Sequence, residues 1–149
     1  MCIRDSILDE PTVGLDPAER VRFREVIASL QGERLVILST HIITDVEVMA
    51  TDLVLLNQGQ ILWNGTPAAL LHDAASAVWD VTLDPATFER VRSTFQVSQA
   101  IRRSKQVETR LVSATQPHPE AVQVEPSLEE AYLYLAGTPQ TGQKLITAH

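Results

Sequence analysis

Cysteine is almost missing from this sequence. Cys2 stands alone, which excludes an internal disulfide and a cysteine metal cluster and suits a reducing cytoplasm. Lysine is nearly as scarce: Lys105 and Lys144 are the only two, and neither follows a glycine-rich loop. No G-x-x-x-x-G-K-[ST] occurs anywhere, so the backbone N–H cradle and the lysine that such a loop offers to phosphates are not here. No apolar run approaches the roughly eighteen residues that a membrane-spanning helix needs. Positive charge is short as well, with a net charge of −7. That balance weighs against a nucleic-acid partner, whose footprint is a basic face. His72, His118 and His149 have no metal-ligand spacing and read as solvated.

What is present suffices for a core. The 149 residues are 44% hydrophobic and 21% charged, close to the globular norm and enough for one ordinary domain or two very small ones. Met1 to Ser6 is not a signal peptide, because no apolar segment follows it. This MCIRDS stretch resembles the conceptual translation of a sequencing-library adapter; the alternative is a natural start of undistinguished sequence.

Ile7-Leu8 reads as an apolar strand ending at Asp9-Glu10. A tight loop, Pro11 to Leu15, follows. Asp16 as N-cap, Pro17 at the first helical position and Glu19 three residues after the cap predict a helix. Its apolar stripe is Phe23, Val26, Ile27 and Leu30, and Gly32 ends it. Leu35 to Leu38 is a continuous apolar run, the mark of a strand buried on both faces in a parallel sheet. Ser39-Thr40-His41 closes it, and a helix over about 42–50 comes next. Leu53 to Leu56 and Gln60 to Trp63 predict two strands around Asn57-Gln58-Gly59. Thr66 and Pro67 open a short helix through Leu71.

The small-residue stretch 72–76 reads as a linker. Beyond it the alternation over 77–83 predicts a half-exposed strand, and Asp84-Pro85 a helix with Phe88, Val91 and Phe95 on one face. Trp79 and Phe88 are candidate core. Two more strands are expected near 97–102 and 107–112, then a loop at Pro117-His118-Pro119. Ser127 and Glu130 form a capping box for a last helix that Gly137 stops, with a mobile tail over 138–149.

A rigid strand end carrying Asp-Glu suits Mg-nucleotide chemistry, since open α/β sheets bind ligands at the carboxyl ends of strands. An Asp there can hold Mg²⁺ through water, and a following Glu can orient and deprotonate an attacking water. Taken alone, the pair also occurs by chance on exposed loops. Here it is extended. Ile7-Leu8-Asp9-Glu10-Pro11-Thr12-Val13-Gly14-Leu15-Asp16-Pro17 resembles the Walker B motif and D-loop of ABC ATPases, and Leu38-Ser39-Thr40-His41 resembles their switch-histidine loop. The strands at 53–63 and Asn64-Gly65-Thr66-Pro67 resemble the hairpin and helix that close such a nucleotide-binding domain. Ser127-Leu128-Glu129-Glu130-Ala131-Tyr132 resembles the C-terminal extension of multidrug, antibiotic or sodium exporter ATPases.

The resemblance implies an α/β fold: a partial P-loop NTPase (ABC ATPase) parallel sheet over 7–71 and a small α+β extension over 77–137. It implies Asp9 supporting Mg²⁺ through water, Glu10 polarising the hydrolytic water, and His41 contacting the γ-phosphate of ATP. Gly14, Leu15 and Asp16 would be the D-loop that crosses to a second ATPase subunit. The local alternative for Asp16 is a plain helix N-cap, and the two roles are compatible. A separate transmembrane permease would hold the protein at the inner face of the membrane, in the cytoplasm. The Walker A, Gln and LSGGQ-type signature loops are absent, so the sequence reads as a fragment that neither binds nor hydrolyses ATP alone. Two other readings stay open: a non-catalytic regulatory or dimerisation module that docks on a full-length ABC ATPase, and an ABC ATPase acting on ribosomes or DNA.

Overall fold

The computed structural model describes residues 5–30 and 35–137. Met1 to Arg4 of the adapter-like segment, the Gly32 helix stop and the 138–149 tail lie outside the described residues. The class is mixed α/β with small sheets, and the chain forms two compact units, residues 1–53 and 54–149.

In the first unit, strand β1 (Ser6–Asp9) pairs in parallel with β2 (Val36–Ser39). The register aligns Ile7 with Ile37 and Asp9 with Ser39, so the two loops that follow the strands leave side by side. Ser6, read with the adapter-like segment, pairs with Val36. Helix α1 (Pro17–Ser29) starts as its capping box predicts, with the Asp16 side chain accepting from the Glu19 N–H and the Glu19 side chain accepting from the Asp16 N–H. Its packed face differs from the expected stripe. Ile27 is buried, but Val26 is 58% exposed. The inward face is shared with Arg24, which bonds to α2 (Ile43–Met49). The residue that α2 buries is not apolar at all: it is Asp45.

Ile7 and Ile37, in register across the pair, and Leu35, just before β2, are all at least half exposed, so this run is not the strand buried on both faces that its continuous apolar character suggested. A contiguous apolar face of this kind is a site of association. Residues 7–71 expressed without the rest are therefore expected to aggregate. A sharp melting transition of a monomer, by calorimetry and light scattering, would contradict this.

The hairpin β3 (Leu53–Asn57) and β4 (Gln60–Gly65) turns at Gln58-Gly59. Both turn residues have positive φ, 50° and 76°, as the type I′ turn that matches strand twist requires. Helix α3 (Pro67–Asp73) is capped by Thr66. It runs into the stretch read as a linker. Residues 72–76 hold the end of α3 and a turn, and Ala74 is fully buried. Small side chains serve close approach there.

The second unit is built on an antiparallel sheet in the order β6 (Gln96–Arg103), β7 (Gln106–Val112), β5 (Val78–Leu83), β8 (Val122–Gln123). Helix α4 (Pro85–Arg92) lays Phe88 and Val91 against Val81, Leu83, Val107 and Leu111. Phe88 is core as expected. Trp79 is only partly buried beside that cluster, because its indole N–H reaches the carbonyl of Ser113 at 2.9 Å. Helix α5 (Leu128–Gly137) begins at the predicted capping box of Ser127 and Glu130. Gly137 is its last residue.

Candidate functional site

The carboxyl ends of β1 and β2 gather three of the predicted residues, Asp9, Glu10 and His41. Asp9 ends β1 directly across from Ser39, whose hydroxyl donates to the Asp9 carboxylate. Glu10 follows, its N–H bonded to the carbonyl of Ser39 at 2.9 Å. Its backbone sits at φ 46°. An L-residue in the left-handed region pays roughly 1–2 kcal/mol, and such departures cluster at functional sites. This turn aims the Glu10 side chain across to the β2 loop, where Oε1 lies 2.9 Å from His41 Nδ1.

A carboxylate only accepts, so the hydrogen of that contact belongs to the imidazole. Glu10 Oε2 is buried and has no partner among the described residues. One oxygen of the carboxylate is thus held by His41, while the other has an unused acceptor position. Neighbouring Thr40 bonds the N–H of Ile42 through its hydroxyl at 3.0 Å and starts the turn into α2.

Gly14, Leu15 and Asp16 form the end of the loop and the cap before α1. Gly14 has φ 82°, a left-handed position where glycine is the favoured residue. Gly14 and Asp16 are exposed and Leu15 is half-buried. Asp16 acts as an N-cap here, which is the local role its position suggested.

Two residues that sequence reading passed over are fully buried beside this site. Thr12 donates to Asp45 Oδ2 at 2.5 Å, and Arg24 donates to Asp45 Oδ1 from Nε at 3.2 Å and Nη2 at 2.6 Å. Burial by itself would raise the Asp45 pKa. The Thr12 hydroxyl, the bonds and charge of Arg24, and the charge of Arg20 outweigh burial and hold it below the ordinary range. A Thr in a tight loop and an Asp in the first turn of a helix have innocent local explanations, so the sequence held no signal for this cluster. Away from it, exposed His72 lies 3.9 Å from Asp73, while half-buried His118 accepts from the N–H of Glu120.

The donor set can be tested against a magnesium nucleotide. Among the described residues no group of three or more His, Cys, Asp or Glu could hold a metal. Asp9 with Ser39 suits an ion that keeps most of its water and takes its other oxygens from phosphates, as Mg²⁺ does. The unpartnered Glu10 Oε2 suits a water. The arrangement fits the water-activating half of such a site, and the sequence lacks the phosphate-cradling half. Among the described residues no helix is long and apolar enough to cross a membrane.

No protein-family model matches the chain. It is similar to the energy-coupling factor transporter ATP-binding protein EcfA2 of Lactiplantibacillus plantarum, 42% identical over 71 residues, 46% of this chain and 24% of that protein. It is also similar to EcfA2 of Clostridioides difficile, 38% identical over 80 residues, 52% of this chain and 28% of that protein. A third relative, the probable multidrug ABC transporter ATP-binding protein YbhF of Escherichia coli, is 27% identical over 95% of this chain and 27% of its own length. The chain spans about a quarter of the length of these relatives.

Proposed function

Because the chain is homologous to ABC-transporter ATP-binding proteins, we propose that it is the C-terminal part of the ATP-hydrolysing subunit of an ABC transporter. Its β1–β2 pair then belongs to the parallel sheet of a P-loop NTPase. The observation that carries this reading is the Glu10–His41 pair. Two side chains 31 positions apart meet at the ends of adjacent parallel strands, where sheets of this class bind ligands. The exporter type is supported by the multidrug relative, whose match runs over 95% of the chain and so includes the second unit.

In this reading Glu10 is the general base. His41 holds Oε1, and Oε2 receives the proton of the attacking water. Asp9, steadied by Ser39, supports Mg²⁺ through water. Bound MgATP supplies the phosphoryl group and the charge of the metal. Gly14, Leu15 and Asp16 cross to a second ATPase subunit, and a separate permease at the inner membrane face receives the closing and opening of the pair. The reaction depends on positioning of the nucleotide, and this sequence has no phosphate-binding loop. The 149-residue chain alone is inactive.

Reading the source DNA upstream of Ile7 is the test. The frame is expected to continue back through a signature loop to a G-x-x-x-x-G-K-[ST] loop. A start codon and ribosome-binding site at Met1 would overturn this function. They would favour a non-catalytic module that docks on a full-length ATPase, a reading that the missing phosphate loop also fits.

A further inference from the structure

The Glu10–His41 contact joins two exposed loops, with side-chain exposures of 37% and 74%. Nothing in the contact itself explains why it should persist. An ion pair or hydrogen bond this open to water contributes little, and the left-handed backbone of Glu10 that aims its side chain at His41 carries a strain cost. The Glu10 N–H bond to the Ser39 carbonyl fixes the strand ends, and the loops beyond them need a further tie.

The buried cluster beside them has the right connections. Thr12 lies two residues after Glu10, in a turn closed by the Val13 N–H to the Glu10 carbonyl at 3.2 Å and the Leu15 N–H to the Thr12 carbonyl at 3.3 Å. Asp45 lies four residues after His41, in the first turn of α2. The Thr12 hydroxyl and the Asp45 carboxylate meet at 2.5 Å with both residues 0% exposed. Arg24 of α1 grips the other carboxylate oxygen with two nitrogens. One carboxylate therefore ties together the loop that follows Glu10, the helix that follows His41, and α1. A fully buried, charge-assisted bond is shielded from water and is stronger than an open one.

The geometry points to Asp45 as the positioning residue of the site: through Thr12 it sets the Glu10 loop against the His41 loop. This role rests on the functional reading above for its meaning, but its test needs no nucleotide. A residue needed only for folding would act on stability. A positioning residue must also change the state of the His41 ring.

The full chain, labelled with ¹⁵N-histidine, is examined by imidazole ¹⁵N–¹H correlation in mildly alkaline buffer, with His41→Gln assigning the signal. In the wild type His41 is expected to carry its hydrogen on Nδ1. Thr12→Val, which keeps shape but removes the hydroxyl, should lose that Nδ1–H signature while residues 5–53 stay folded, and Thr12→Ser should restore it. Asp45→Asn is the second variant and should show the same loss. An unchanged His41 signature in a folded Thr12→Val would overturn the inference. So would unfolding of residues 5–53 in both Thr12→Val and Asp45→Asn, which would make the cluster a folding element alone. If the signature behaves as expected but no ATPase is found in any extended form, the positioning role stands and the functional reading fails.

Discussion

Changing Glu10 to Gln, in a form of the protein extended upstream to include a phosphate-binding loop, is expected to lower ATP turnover by about 10²–10⁴-fold, the usual worth of a general base. Gln has the shape of Glu, and its carbonyl oxygen can still accept from His41. What it loses is the second acceptor. The oxygen that is buried and unpartnered in the wild type becomes an amide nitrogen that cannot take a proton. ATP binding should be retained, because it depends on the cradle and the metal. The measurement is single-turnover hydrolysis with a parallel nucleotide-binding assay. Equal rates for the two proteins would remove Glu10 from the mechanism. Weakened binding at an unchanged rate would move it to the nucleotide site.

Replacing Asp45 with Ala is expected to destabilise the first unit by about 3–5 kcal/mol, the scale for breaking a buried pair and stranding its partner. Arg24 would keep its charge with only 24% of its side chain exposed, and Thr12 would lose its acceptor. The effect depends on pH in a defined direction. The folded pKa of Asp45 is depressed, so its contribution is complete above the ordinary aspartate value of about 3.9 and is lost as pH falls through the lower folded value. The gap between wild type and Asp45→Ala should therefore be constant near neutrality and narrow in acid below that ordinary value. Trp63 and Trp79 both lie in the second unit, so fluorescence reports the wrong part of the chain. Amide exchange of residues 5–30 and 35–53 in increasing urea reads the correct one. A gap that widened in acid would contradict the assigned charge state.

The features legible in sequence were short-range. Asp16 with Glu19 and Ser127 with Glu130 are capping boxes because their partners lie three residues apart, and a helix start carries them wherever it sits. The Asp9-Glu10 strand end, the apolar run before His41 and the Gln58-Gly59 turn were readable for the same reason. The alternation over 77–83 predicted β5, although Val78 is buried where the alternation put it outside; what covers a sheet face is set by packing and not by the strand's own pattern.

What only the tertiary structure decided was long-range pairing. Nothing local to Thr12 announces Asp45, 33 positions on, or links Arg24 to it across 21. The two-residue β8 has no pattern of its own and exists by pairing with β5. Glu130 reads as a cap, yet it also accepts from Ser98 and lies 3.6 Å from Arg110. Sequence by itself determined where helices and turns begin and which groups are candidates for chemistry, because those depend on neighbours along the chain. Which groups face one another was decided by the fold, because a buried carboxylate is stable only where the packing brings it donors from elsewhere.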